Sequence, residues 1–81
     1  MATKEIVSPL PGTFFRRPSP DKPVYKEAGD QVAAGEVIGL VEVMKTFYEV
    51  KSDTAGRINK FLVENEAPVQ AGDALVVLDD A

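Results

Sequence analysis

The sequence predicts an all-β fold built from two similar halves, and three observations support this. Six glycines and six prolines divide 81 residues into short runs rich in aliphatic and aromatic residues, which is typical of short strands joined by tight turns. No stretch of ten or more residues shows a 3.6-residue hydrophobic period. The nearest, NKFLVENEA, places Phe61 and Val63 equally well on a strand. The third observation is an internal repeat.

The repeat relates two long segments and two short ones at fixed offsets. VAAGEVIGLVE (32–42) matches VQAGDALVVLD (69–79) at an offset of 37, and SPLPGTF (8–14) matches SDTAGRI (52–58) at an offset of 44. We expect a pseudo-two-fold sandwich in which each half supplies strands to both sheets, because neither half can bury a core alone. The difference between the offsets places about seven extra residues between Phe14 and Val32. The proline-rich RRPSPDKP, residues 16–23, is the candidate insertion.

Length and composition predict one globular domain over residues 1–81. Hydrophobic residues make up 44% and charged residues 27%, which argues against disorder. The chain has no cysteine and no histidine, so we expect no metal site and no catalytic residues of its own. A net charge of −4 makes nucleic acid a poor partner. We expect a cytoplasmic protein without a membrane span, because no apolar run approaches about 20 residues and MATKEIVSPL lacks a signal-peptide core.

The stretch LVEVMKTFYEV, residues 40–50, indicates a hairpin without a conventional turn sequence. A two-residue loop at Met44-Lys45 would place Gly39, Val41, Val43, Thr46, Tyr48 and Val50 on one face, which we expect to face the core. Moving the loop by one residue would set Glu42 opposite Glu49, an unfavourable like-charge pair. The pattern therefore selects Met44-Lys45, although Asn-Gly would be the better turn. Adding the offset of 37 to Met44 reaches the chain end, so we expect this turn at the pole opposite the termini.

These segments resemble the biotinyl domain, the biotin carboxyl carrier of biotin-dependent carboxylases. The resemblance runs from about Ile6 to Leu78 and includes SPLPGTFFRRPSPDKP, YKEAGDQVAAGEVIGLVEVMKT and GRINKFLVENEAPVQAGDALVVL. It implies a flattened β-barrel, or sandwich, of two four-stranded antiparallel sheets with quasi-two-fold symmetry. It also implies that residues 16–23 form the family's "thumb".

The resemblance further implies a biotin cofactor joined by an amide bond to Lys45. A biotin protein ligase would recognise Met44 and Glu42 together with Val43 and Thr46. The last two depart from the family's usual Glu-Ala-Met-Lys-Met, which has alanine and methionine at these places. The thumb would contact the biotin head group, and the residues expected to do so are Arg17, Pro18, Ser19, Pro20, Asp21 and Lys22.

The function implied is that of a non-catalytic carrier. The domain would shuttle carboxybiotin between the biotin carboxylase and carboxyltransferase subunits of an enzyme such as acetyl-CoA carboxylase, in fatty acid biosynthesis. Two alternatives remain open: a lipoyl carrier of a 2-oxoacid dehydrogenase complex, which shares the lysine hairpin, and an unmodified interaction domain of the same fold. Each residue also has a plainer interpretation. Lys45 and Glu42 could be solvated strand charges, residues 16–23 a surface loop, GTFFRR a strand ending at the surface, and the turn glycines (Gly29, Gly35, Gly56, Gly72) purely structural.

Overall fold

The computed structural model describes residues 3–80, and the side chains of residues 3–79. It confirms the all-β class, since every regular element in this range is a strand. The eight strands are β1 (Thr3–Val7), β2 (Gly12–Phe15), β3 (Gln31–Val32), β4 (Val37–Val43), β5 (Thr46–Lys51), β6 (Gly56–Phe61), β7 (Ala67–Val69) and β8 (Ala74–Asp80). Within the described range there is no helix long and apolar enough to cross a membrane.

The strands form two four-stranded sheets, ordered β1-β8-β6-β3 and β5-β4-β2-β7. All neighbours pair antiparallel. Strands four places apart in the chain occupy equivalent positions: β1 matches β5, β8 matches β4, β6 matches β2 and β3 matches β7. The quasi-two-fold symmetry is therefore confirmed. The residue pairing obeys the same rule. Glu42 pairs with Phe47 in one sheet, and Asp79 pairs with Thr3 in the other, which are the offsets of 37 and 44 found in the sequence.

The β4–β5 turn lies at one end of the sandwich, and the described chain ends lie at the other. β5 runs away from the turn to Lys51, and residues 52–55 then lead into β6. The first residue of β6, Gly56, pairs with Asp80. The full length of β5, about 20 Å at 3.3 Å per residue, therefore separates the turn from the end of β8.

The core fills the space between the inner faces of the two sheets. Its largest fully buried side chains include Phe14, Ile38, Ile58, Leu75 and Leu78. Removing such surfaces from water supplies most of the folding free energy, at about 25 cal/mol per Å² of apolar area.

The two halves fill equivalent places in the core with different side chains. Phe14 lies so close against Gly39 that a Cβ added to the glycine would approach Cε1 of the ring at 2.6 Å and Cζ at 2.8 Å. The pseudo-symmetric positions are Ile58 and Val76, both fully buried. One half therefore pairs a large residue with no side chain, and the other pairs two branched aliphatic residues.

This exchange of volume predicts strong coupling between Phe14 and Gly39. Gly39→Val alone should lower the free energy of unfolding by about 1–3 kcal/mol, because its side chain overlaps the Phe14 ring and its Cβ lies 2.9 Å from the Phe15 carbonyl oxygen. Phe14→Ile alone should cost about 1–3 kcal/mol through the cavity that it leaves. The double variant should be more stable than the sum of the two effects by at least about 1 kcal/mol. Urea unfolding of all four proteins measures this, and simple additivity would contradict it.

An ion pair joins the segment after the thumb to the β3–β4 turn. The carboxylate of Glu36 lies 2.8 Å from Nζ of Lys26 and accepts a 2.9 Å hydrogen bond from the Ala33 N–H. The Lys26 contact and the Ala33 hydrogen bond lower the pKa of Glu36 below its ordinary value of 4.5. In the other half Asp73 accepts the equivalent bond from Gln70 at 2.7 Å.

The lowered pKa predicts a loss of stability in acid. Because folding favours the charged form of Glu36, its contribution is complete above pH 4.5 and disappears as the pH falls through the lowered pKa. Glu36→Gln should reduce the difference in free energy of unfolding between neutral pH and a pH well below 4.5. Lys26→Met should reduce the same difference, since it removes the first cause of the shift. Unchanged pH profiles in both variants would rule out this ion pair as a source of acid sensitivity.

Candidate functional site

The β4–β5 hairpin reverses direction on Met44 and Lys45. Val43 pairs with Thr46, Glu42 with Phe47 and Val41 with Tyr48, so the predicted register is confirmed. Met44 has φ of 50° and Lys45 has φ of 67°. Two positive φ values at the centre of a two-residue loop define a type I′ turn, which normally carries Asn-Gly. For residues with a Cβ this conformation costs about 1–2 kcal/mol each.

A hydrogen bond from the strand supports this strained turn. The backbone N–H of Lys45 donates to Oε2 of Glu42 at 3.2 Å. Glu42 is partly buried, while Met44 is 92% exposed and Lys45 is also exposed. The predicted site residue Glu42 therefore has a structural contact of its own, and it holds the turn beneath the lysine. The roles of Glu42, Met44, Val43 and Thr46 in ligase recognition stay predictions.

The core ends below the tip of the hairpin, which corrects one expectation. Thr46 and Tyr48 were expected to face the core, but Thr46 is exposed and the Tyr48 side chain is 43% exposed. Val43, on the same face, is only partly buried against the core cluster. The alternation was right, but both residues lie on β5, the edge strand of its sheet. Val41, the partner of Tyr48 on the inner strand β4, is fully buried, so the core reaches this level of the hairpin without covering its edge. The last residues before and after the turn therefore present their side chains to solvent.

The thumb, residues 16–23, lies between β2 and β3 and is closed at its base. The Tyr25 N–H donates to the Arg16 carbonyl at 2.9 Å, and the Lys22 N–H donates to the Ser19 carbonyl at 3.1 Å. Ser19 Oγ donates to Asp21 at 2.5 Å, and this bond is the main cause of the lowered pKa of Asp21. The connection between β2 and β3 covers residues 16–30, whereas the equivalent one between β6 and β7 covers residues 62–66.

Arg16 anchors the base of the thumb to the rest of the domain. Its backbone N–H donates to Oδ1 of Asn65 at 2.8 Å, and its Nη2 donates to the Lys26 carbonyl at 3.2 Å. Its guanidinium carbon lies 4.1 Å from the centre of the Phe61 ring, a distance at which a cation–π interaction is favourable. The sequence interpretation of GTFFRR as a strand ending at the surface omitted these contacts.

A cavity of about 450 Å³ lies between the thumb and the outer face of the hairpin sheet. Phe15 and Phe47 contact each other across β4, with ring centres 5.9 Å apart and planes at 62°. Phe47 is the second residue after Lys45, so the cavity adjoins the hairpin tip. The complete lining is Phe15, Arg17, Pro18, Ser19, Pro20, Phe47, Asn65 and Glu66.

Four of the six predicted thumb contacts line this cavity, and two do not. Arg17, Pro18, Ser19 and Pro20 form one wall, while Asp21 and Lys22 lie on the exposed part of the loop. Four lining residues were not predicted from the sequence: Phe15, Phe47, Asn65 and Glu66. An aromatic residue two positions after Lys45, on the polar side of a hairpin, was the available signal for Phe47. The others are brought to the cavity by strand pairing.

Among residues 3–80 no group of three or more acidic side chains could hold a metal ion. The polar side chains of the hairpin tip and the cavity are the Lys45 amine, the Arg17 guanidinium, the carboxylates of Glu42 and Glu66, the Ser19 hydroxyl and the Asn65 amide. Such a set can present an amine to an acylating enzyme and can hydrogen-bond a neutral ligand.

Comparison with known proteins gives the family. The protein-family model described as "Biotin-requiring enzyme", for biotin and lipoyl attachment, matches residues 4–78. The chain therefore belongs to this family, and the resemblance found in the sequence is confirmed.

Two relatives illustrate the similarity. A biotin carboxyl carrier protein of acetyl-CoA carboxylase from Chlamydia muridarum is 47% identical over 70 residues, covering 86% of this chain and 43% of that protein. The corresponding protein of Nostoc is 36% identical over 72 residues, covering 89% and 40%. The chain thus spans less than half the length of these relatives.

Solved structures show the same fold inside larger enzymes. Kluyveromyces lactis urea carboxylase matches with a TM-score of 0.78 and 28% identity, covering 98% of this chain and 6% of that one. A single-chain, multi-domain long-chain acyl-CoA carboxylase matches with a TM-score of 0.81 at 23% identity, covering 98% and 7%. At this identity the second match supports the fold alone.

The strained turn yields a prediction about stability. Replacing Met44-Lys45 with Asn-Gly should raise the free energy of unfolding by about 1–2 kcal/mol, because both residues then tolerate positive φ. Ala-Ala at the same positions is the matched control, since it removes the side chains but keeps the backbone strain. Urea unfolding should rank Asn-Gly above the parent and Ala-Ala no higher than the parent. A less stable Asn-Gly variant would be incompatible with a type I′ turn.

Proposed function

We propose that this domain is a biotin carboxyl carrier whose attachment site is Lys45. The observation that carries the proposal is the hairpin tip, where an exposed lysine occupies a turn that its own conformational preference disfavours. Backbone strain of this kind persists where the surrounding structure enforces it, and it is frequent at functional sites. Membership of the biotin-requiring family supports biotin as the group attached.

The residues present fit this cofactor. Biotin has a nearly apolar bicyclic ring with a polar ureido edge, joined to a flexible chain. The cavity beside the hairpin offers two phenylalanine rings and a few polar groups in about 450 Å³. Once attached, biotin supplies a ring nitrogen that accepts a carboxyl group. We infer that Arg17, Pro18, Ser19 and Pro20 form the thumb contact for the head group, with Asp21 and Lys22 supporting the loop.

The contribution of the chain itself is presentation without catalysis. The hairpin holds the Lys45 amine away from the core, and Glu42 fixes the backbone beneath it through the 3.2 Å hydrogen bond. A biotin protein ligase would activate the biotin carboxyl group and acylate the amine. The exposed Met44, with Glu42, Val43 and Thr46 beside it, would form the surface that the ligase recognises. Acting as one domain over residues 1–81, the carrier would need no acid or base of its own.

The partners would be the biotin carboxylase and carboxyltransferase components of an enzyme such as acetyl-CoA carboxylase. The names of the relatives support this assignment. The biotinyl-lysine arm would carry a carboxyl group from one active site to the other. Tethering raises the local concentration of the group at each site to the millimolar range. A lysine at the pole opposite the chain ends can visit both sites while the rest of a longer protein stays anchored.

Replacement of Lys45 tests the attachment site. Lys45→Arg keeps the positive charge but removes the acylatable amine, so avidin blotting after expression with a biotin ligase should give no signal. Lys51→Arg is the matched control, because Lys51 lies on the same hairpin and is also exposed. Intact mass of the parent should show one biotinyl addition, which also neutralises one cation and changes the net charge from −4 to −5.

Three results would contradict the proposal in different ways. A blot signal that survives Lys45→Arg would place biotin on another lysine. A lipoyl mass increment on the protein from native cells would make the domain a lipoyl carrier. No increment from native cells, with the ligase present, would leave an unmodified interaction domain.

A further inference from the structure

The cavity beside the hairpin has one cationic and one anionic side chain in its wall. Arg17 comes from the thumb, and Glu66 comes from the β6–β7 connection on the other side. Among the described residues these two do not form an ion pair within 4.0 Å; the pairs present are Lys4–Asp53, Lys26–Glu36 and Lys51–Glu49. Nε of Arg17 is buried without a hydrogen-bond partner. Oε2 of Glu66 accepts a long hydrogen bond of 3.4 Å from Nδ2 of Asn65, and no side-chain hydrogen bond within the described residues reaches Oε1. Nε of Arg17 and Oε1 of Glu66 therefore keep hydrogen-bonding capacity that the protein does not use.

The backbone of Glu66 is held in a conformation that suits glycine. Its φ is 67°, and within residues 3–80 the other non-glycine residues with positive φ are Met44 and Lys45. The pseudo-symmetric position in the first half is Gly29, with φ of 96°. Both residues use their N–H in the same way: Gly29 donates to Ile58 at 2.8 Å, and Glu66 donates to Phe14 at 2.6 Å.

The turn thus needs the Glu66 backbone but not its side chain. Glycine makes the equivalent turn in the other half without the strain that a Cβ brings in this region. A residue that departs from local preference is explained most simply by what its side chain does. The Glu66 side chain lines the cavity, so its action is directed at whatever occupies that cavity.

We propose that Glu66 and Arg17 are positioning residues that recognise the two kinds of polar group on the ureido edge of biotin. The Glu66 carboxylate accepts a hydrogen bond from a ureido N–H, and the Arg17 guanidinium donates to the ureido carbonyl. Phe15 and Phe47 contact the apolar part of the ring system. This inference rests on the proposed function. It also gives a basis for specificity, because the dithiolane ring of lipoate has neither an N–H donor nor a carbonyl acceptor.

Hydrogen exchange of the ureido N–H protons in the biotinylated domain tests this directly. Isotope-filtered NMR of unlabelled biotin on labelled protein observes these protons. Relative to biotinamide in solution, exchange of one N–H should be slowed about threefold to tenfold, as expected for a partly exposed hydrogen bond to a charged group. Glu66→Gln should lose most of this protection, and Glu66→Gly should lose all of it. Glu64→Gln, an exposed neighbour outside the cavity lining, should leave it unchanged.

The urea unfolding midpoint of Glu66→Gly shows whether the Glu66 side chain serves binding or the stability of the fold. Glu66→Gly should leave the urea midpoint unchanged or raise it, because glycine relieves the left-handed strain. Loss of protection together with an undiminished midpoint would support the proposal. Equal protection in the parent, Glu66→Gln and Glu66→Gly, or no protection in the parent, would overturn it.

A second measurement does not depend on attachment. Biotinamide titrated into the unmodified chain should shift the backbone amide signals of Arg17, Phe47 and Glu66, and lipoamide at the same concentration should not. The biotinamide shifts should shrink in Glu66→Gly. The mass measurement tests whether biotin is attached, and the titration tests whether the cavity recognises biotinamide. A chain without a biotinyl mass increment would contradict the proposed function, while the titration could still show recognition by the cavity. Equal shifts with both probes, or none with biotinamide, would overturn the recognition by Glu66 and Arg17.

Discussion

The pairing of Val43 with Thr46 leaves only Met44 and Lys45 to reverse the chain. The loop takes the type I′ form, one of the two turns that follow the right-handed twist of the strands. It therefore has two positive φ values, which neither residue adopts readily. The long β4–β5 ladder enforces the turn, and the hydrogen bond from Lys45 N–H to Glu42 contributes to it. Because the loop has only two residues, Lys45 stands at the tip of the hairpin, where it is exposed. Its exposure is a consequence of the register.

The two halves share one framework, and several of their differences lie around the hairpin. Paired residues, bulges and turn hydrogen bonds recur at the offsets of 37 and 44. Where one half closes with the Met44-Lys45 turn, the other is open between β8 and β1. The first half has the longer β2–β3 connection, and the second has Glu66 where the first has Gly29. The thumb and Glu66 face the same cavity, so symmetry provides the scaffold and the departures from symmetry provide the site.

Sequence reasoning succeeded where information is carried by spacing. The internal repeat predicted that the two halves have equivalent strands, and the charges of Glu42 and Glu49 selected the register of the hairpin. It failed where the outcome depends on how far one layer covers another. Thr46 and Tyr48 have the alternation of core positions, yet they lie on the edge strand β5, which the core does not cover there. Leu40 lies on the opposite face from Val41, yet it is only 7% exposed and is not part of the core cluster. A strand pattern specifies faces, while burial depends on what packs over each face.

The cavity was inaccessible to sequence reasoning for a related reason. Its walls come from β2, β5, the thumb and the β6–β7 connection, which are separated by up to about fifty residues and meet only through strand pairing. Glu66 could have been found by applying the offset of 37 to Gly29, since the substitution of glutamate for a turn glycine is visible in the sequence once the repeat is known. Gly29 and Glu66 share a positive φ but differ in side chain. A comparison of equivalent positions within the chain therefore reveals a side chain that the turn itself does not need.

The exposure of the site fits a carrier that must release what it holds. Glu66 is exposed and Arg17 is partly exposed, so water competes with any ligand for their hydrogen bonds and weakens each one. The two phenylalanine rings are not sealed either, since Phe47 is 53% exposed. A deeper, drier cavity would hold the ring system more tightly and would slow its departure to a distant active site. Shallow polar contacts beside a strained, protruding hairpin instead favour brief docking of the proposed biotinyl group. The same exposure would leave the Lys45 amine accessible to the proposed ligase.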